Sequence, residues 1–110
     1  MKDLKISKEL IINVMDIKYP FSDIQLNSNI LNWWREDVYF EERININIYE
    51  FAFKCKEWAL SKGYFIYSTH ELSFIKSLSL ETIETFANGK DTELECIIKA
   101  SEWVLSEVYK

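Results

Sequence analysis

Few side chains in this sequence could carry chemistry. There is one histidine, His70, and there are two cysteines, Cys55 and Cys96, in 110 residues. A cysteine nucleophile needs a neighbouring base to take its proton. His70 lies in Thr69-His70-Glu71, a turn-like stretch between two strand-like runs, whereas both cysteines fall within helical patterns, on or beside the apolar face. That placement reads as an exposed turn histidine and two reduced core thiols. A zinc site needs three or four Cys, His or carboxylate ligands at suitable spacing, and two isolated cysteines with one histidine do not suggest one. The 18 acidic residues contain pairs by number alone, but none stands out as an acid and its base. The expectation is a non-enzymatic protein with no catalytic residue, no metal and no cofactor.

Binding chemistry is better represented. Glu36, Asp37, Glu41 and Glu42 put four acids within seven residues, with Val38, Tyr39 and Phe40 between them. Trp33 and Trp34 stand immediately before this cluster. In a strand, neighbouring side chains point to opposite faces, so one indole belongs to a core and the other needs a cover or a partner. Tryptophan is a common interface anchor. Trp33, Trp34, Glu36, Asp37, Tyr39, Glu41 and Glu42 are therefore the candidate contacts of an acidic and aromatic docking segment for a basic partner. A solvated loop with its aromatics tucked into the core is the plainer reading of the same residues.

Charge narrows the partner. The net charge is −5, with +1 in residues 1–35 and −6 in residues 36–110. An acidic body repels phosphate backbones, so no direct nucleic-acid binding is expected; it attracts basic protein surfaces. The N-terminus, MKDLKISKELIINV, lacks the apolar run of a secretory signal, and no stretch has the roughly 18 apolar residues of a membrane span. A soluble, cytoplasmic protein with no membrane partner is expected. The two Gly and one Pro leave no Gly-rich phosphate loop and no linker. Phe, Tyr, Met, Ile, Asn and Lys, residues with AT-rich codons, make up 47 of the 110 positions. That bias suggests an AT-rich bacterium or one of its phages.

The elements that must position these residues follow from periodicity and caps. Ser7 can cap a helix running to about Lys18, with Leu10, Ile11, Val14 and Ile17 as its apolar stripe. Ile24 to the tryptophans, around the turn-like Asn27-Ser28-Asn29, reads as a hairpin. Residues 35–43 read as a third strand or a loop. Asn47 and Glu50 form a capping box before the stripe Ile48, Phe51, Ala52, Cys55 and Ala59, with Ile46 and Phe51 at the staple positions. This predicts a helix over 48–62 ended by Gly63 as a left-handed cap. Tyr64–Ser68 and Leu72–Leu78 read as strands. Residues 82–88 fit a strand or a short helix, the strand being favoured. Thr92 and Glu95 make a second capping box before a helix to about Tyr109, buried through Leu94, Ile97, Ile98, Ser101, Val104, Leu105 and Val108, with Trp103 beside them. No internal repeat is expected. The sum is one α+β domain of two layers, an antiparallel sheet with helices packed on it. An N-terminal helix and hairpin extension (1–45) precede an α-β-β-β-α unit (46–110).

That order invites comparison with double-stranded RNA-binding domains, which place lysines at the start of the last helix. Here the stretch is Asp91-Thr92-Glu93-Leu94-Glu95, of the wrong sign. The stretches INIYEFAFKCKEWALSKGY (46–64), DTELECIIKASEWVL (91–105) and KISKELI (5–11) instead resemble small uncharacterised proteins of bacterial prophages and mobile elements. Their αβββα order is similar to the phage ABA-sandwich domain. The resemblance covers about 80 residues and implies a fold and a phage-like setting, but brings no catalytic residue. Residues 20–45 depart from it. The function expected from these features is an anti-CRISPR-like interaction protein in the cytoplasm of a bacterial host. It would block a nucleic-acid-binding defence protein, such as a CRISPR effector, by acidic and aromatic docking. The alternative is a homo-oligomeric, for instance dimeric, structural or accessory phage protein.

Overall fold

The computed structural model describes residues 6–18, 21, 23–36, 41–68, 72–77, 82–87 and 93–109. Among these described residues, three helices and six strands follow in the order α1 (Lys8–Val14), β1 (Asp23–Asn27), β2 (Ile30–Glu36), β3 (Glu41–Asn47), α2 (Ile48–Ser61), β4 (Tyr64–Ser68), β5 (Leu72–Ser77), β6 (Thr82–Ala87) and α3 (Glu93–Val108). The class is α+β. The strands form two antiparallel sheets of three strands each, ordered β1-β2-β3 and β4-β5-β6. Residues 35–43, read as strand or loop, contribute the end of β2 and the start of β3. The segment 82–88 is a strand over its described part. β3 crosses the 45/46 boundary placed between extension and unit.

Helix α1 begins where the sequence says, with the Ser7 hydroxyl accepting from the Leu10 amide at 3.1 Å. It ends earlier than Lys18. Asp16 takes a left-handed conformation (φ 53°), and the Ile17 amide donates back to the Ile12 carbonyl at 3.0 Å. This is a Schellman closure with aspartate where glycine is usual. Aspartate tolerates that region better than most residues but still carries a Cβ. Asp16→Gly is expected to raise the unfolding free energy by roughly 0.5–1 kcal/mol, read from urea midpoints. Only a weak surface pair with Lys18, at 2.8 Å, is lost with it.

Helix α2 carries the predicted cap: the Tyr49 amide donates to the Asn47 side chain at 2.8 Å. Its first amide, on Ile48, donates to the Asn29 carbonyl at 2.7 Å, so the β1–β2 turn is tied to the helix start. The staple residues Ile46 and Phe51 are both buried. At the other end Gly63 adopts φ +93° and its amide donates to the Leu60 carbonyl at 3.0 Å.

Helices α2 and α3 pack on each other and on the second sheet, and α1 lies against both. The shared core runs from Leu10 and Ile11 through Leu31, Trp33, Phe51 and Cys55 to Ile75, Ile98 and Val104. α1 is fastened to α3 by polar ties: Ser7 donates to Glu102 Oε1 from its amide at 3.2 Å and from its hydroxyl at 2.9 Å, and Tyr109 donates to Asn13 at 2.5 Å. Trp103 meets Tyr64 edge to face, with ring centroids 5.8 Å apart.

The expectation of no internal repeat is corrected by this order. Three antiparallel strands and a helix occur twice in succession. The two helices share a pattern, Glu57-Trp58-Ala59-Leu60-Ser61 in α2 and Glu102-Trp103-Val104-Leu105-Ser106 in α3. In both, the serine hydroxyl donates to the tryptophan carbonyl, at 2.6 Å from Ser61 to Trp58 and 2.7 Å from Ser106 to Trp103.

Candidate functional site

The docking segment proposed by the sequence lies on the hairpin of β2 and β3. Its rungs pair Leu31 with Ile46, Trp33 with Ile44, Trp34 with Arg43, Arg35 with Glu42 and Glu36 with Glu41. Paired residues share a face, so Ile24, Leu26, Leu31, Trp33, Ile44 and Ile46 form one apolar side of the sheet. Asp23, Gln25, Asn32, Trp34, Arg43 and Asn45 form the other.

The two indoles part as the pleat requires. Trp33 is 1% exposed and belongs to the core, so it offers a partner no surface. Among the described residues its Nε1–H has no hydrogen-bond acceptor. Trp34 is half-buried on the polar side, with the Arg43 guanidinium 5.5 Å from its ring centroid. A cation over an indole face is attracted by the ring quadrupole, and arginine also covers apolar ring surface.

Glu36 and Glu41 occupy the two positions of the last rung. Like charges in one rung cost stability rather than supply it. Glu42 stands opposite Arg35. Asp37 and Tyr39 lie outside the described residues, as does His70. By register the Glu36–Glu41 rung falls in the row of Trp34, whereas the Arg35–Glu42 rung falls in the row of Trp33 and Ile44.

Elsewhere, the polar clusters are structural ties. The Ser7 hydroxyl is held by Glu102 and the Leu10 amide. Lys56 donates to the Ser68 hydroxyl, which donates to Glu93, both at 2.7 Å. Both cysteines are free and buried. Burial pushes the Cys55 thiol up from 9.0 to about 12; a hydrogen bond with Ser101 partly counters this, and the Glu102 carboxylate adds to it. A thiol so held is protonated at neutral pH and is no nucleophile. Among the described residues no group of three His, Cys, Asp or Glu could hold a metal, and no helix is long and apolar enough to cross a membrane.

One surface was missed in the sequence. Tyr49, Phe53 and Leu60 are 56%, 64% and 46% exposed, and all lie on the side of α2 away from its core stripe. Tyr49 and Phe53 border a cleft of about 240 Å³ between α2 and α3, with Ala52, Lys56, Leu94 and Ile97 in its walls. The signal was their own helical spacing, hidden because the buried stripe already accounted for the helix.

No family model matches the chain, and neither a curated protein nor a solved structure matches it.

Proposed function

We propose that this chain is a non-enzymatic, phage- or mobile-element-encoded interaction protein. In this reading it inhibits a bacterial nucleic-acid-binding defence protein, of the CRISPR-effector kind, by occupying a basic surface. The observation that carries the reading is the last rung of the β2–β3 hairpin, where Glu36 faces Glu41 in register beside Trp34. A hairpin shaped only for stability gains nothing from two acids in one rung. A hairpin that enters a basic channel gains electrostatic steering from them, and Trp34 supplies an anchor beside them. The net charge of −5 favours the same class of partner and disfavours nucleic acid itself.

The test is capture by the tagged chain from lysate of an AT-rich bacterium carrying CRISPR systems, at low and moderate salt. A stoichiometric nucleic-acid-binding protein, released as salt rises, is the expected result. The variant carrying Glu36→Lys, Asp37→Lys, Glu41→Lys and Glu42→Lys is expected to lose capture and inhibition with its circular dichroism unchanged. Unchanged inhibition by that variant removes the hairpin from the mechanism.

A further inference from the structure

The tie between Lys56 and Glu93 is more than a strap across the fold. Lys56 stands on α2 and Glu93 opens α3, and both line the cleft of about 240 Å³ between the two helices. Ser68, the last residue of β4, sits between them. Its hydroxyl accepts from the Lys56 ammonium and donates to Glu93 Oε1, each at 2.7 Å. The two charged groups are therefore no farther apart than those two bonds laid end to end. Among the described residues they nevertheless close no direct ion pair with each other.

Both groups keep unused capacity. An ammonium has three N–H donors and a carboxylate about four acceptor sites, and Ser68 engages one of each. Among the described residues neither side chain has a further hydrogen bond or ion pair. The rest of the lining is apolar or aromatic. Ala52, Leu94 and Ile97 form the walls, and the exposed rings of Tyr49 and Phe53 stand at the border. A cation, an anion within short reach of it and an apolar recess thus meet in one place. One class of small molecule carries the matching set on a single carbon: an ammonium, a carboxylate and an apolar side chain. The cleft is smaller than the roughly 300–1,000 Å³ that drug-sized ligands occupy, which suits a molecule of that size.

We propose that this cleft binds a free α-amino acid with an apolar side chain, of the phenylalanine or leucine kind. Its carboxylate meets Lys56 and its ammonium meets Glu93. Its side chain enters between the two rings, against Leu94 and Ile97. Charge-assisted hydrogen bonds at both ends fix the orientation, and the Ser68 bridge holds the two receptors at a set spacing. The ligand joins α2 to α3 and covers aromatic surface that is otherwise wet. No bond is made or broken. The site uses no residue of the β2–β3 hairpin, so it stands or falls independently of the docking reading.

Titration calorimetry of the full chain with L-phenylalanine and L-leucine tests this, beside three analogues that each lack one feature. Phenylalaninamide lacks the carboxylate, N-acetylphenylalanine lacks the ammonium and glycine lacks the side chain. Saturable binding of L-phenylalanine or L-leucine is expected, weakened about tenfold or more by the loss of any one feature. Lys56→Met is expected to weaken L-phenylalanine about tenfold without weakening phenylalaninamide, and Glu93→Gln to do so without weakening N-acetylphenylalanine. Circular dichroism matched to the parent qualifies each variant. The analogue series needs only the parent chain, so it decides the matter even if a variant fails to fold. No binding of either amino acid at about 10 mM overturns the proposal. So does binding that keeps its strength without the ammonium or the carboxylate, or that is unchanged in both folded variants.

Discussion

Trp33→Ala is expected to cost about 3–5 kcal/mol, a large share of the roughly 5–15 kcal/mol that stabilises a domain. Trp33 is the largest fully buried side chain among the described residues, packed on the apolar side of the first sheet. Truncation removes the transfer free energy of the indole and leaves a cavity that a three-stranded sheet cannot fully collapse. Trp33→Phe is expected to behave differently. Phenylalanine is smaller, but it also removes a buried Nε1–H that has no acceptor among the described residues. An unsatisfied buried donor costs roughly 1–3 kcal/mol, so its removal offsets much of the lost volume. The urea midpoints of the two variants measure this contrast. A Trp33→Ala variant within about 1 kcal/mol of the parent would show that the inner face of the first sheet contributes little packing energy.

A loss of stability at alkaline pH is the second large effect, and Cys55 is its source. The folded thiol ionises only near pH 12, whereas an unfolded one ionises near 9.0. Below pH 9 both states hold the proton and the thiol contributes no pH dependence. Between pH 9 and pH 12 the unfolded state releases the proton first, so unfolding becomes easier as pH rises. The slope is roughly 1.4 kcal/mol per pH unit, on the order of 4 kcal/mol across the window. Tyrosines and lysines titrate in the same range, so the comparison is with Cys55→Ala. That variant is expected to be less stable than the parent at pH 8, because a small buried volume is lost. It is then expected to approach or overtake the parent by pH 10.5. Parallel pH profiles for the two chains would show that Cys55 ionises as easily folded as unfolded.

Much of the fold was legible wherever the physics is local. The Asn47 cap and the Gly63 closure are one-turn events decided by single side chains, and α2 fills the interval between them. β4 follows Gly63 directly because Tyr64-Phe65-Ile66-Tyr67 has no other use for its aromatics. The end of α1 was misplaced because aspartate at a left-handed position has no distinctive sequence signature. Its apolar stripe runs on to Ile17, which packs against the core from beyond the helix. The repeat escaped notice because it lives in strand order. Between the two helices the sequence likeness is confined to a short tryptophan pattern, and Thr92 of the second expected capping box lies outside the described residues. At the candidate site, alternation separated Trp33 from Trp34 but did not say which faced inward. That depends on register against β1 and β3, where Ile24 and Ile44 fall in the row of Trp33. The exposed stripe on α2 was unreadable as such, since an apolar residue at helical spacing looks the same covered or bare.

The tie between Ser7 and Glu102 has a kinetic side. Each sheet is a meander whose partners are near neighbours in sequence, and the Ile48–Asn29 hydrogen bond joins the first meander to its own helix. Such local pairings close quickly, because little loop entropy is lost before they form. The hydrogen bonds from Ser7 to Glu102 and from Tyr109 to Asn13 span nearly the whole chain. They require both ends to be ordered before either is rewarded. Folding is therefore expected to begin in the two meanders and to close with the seating of α1 along α3. The same seam is expected to open first, with amide exchange in α1 and at the end of α3 running ahead of exchange in α2.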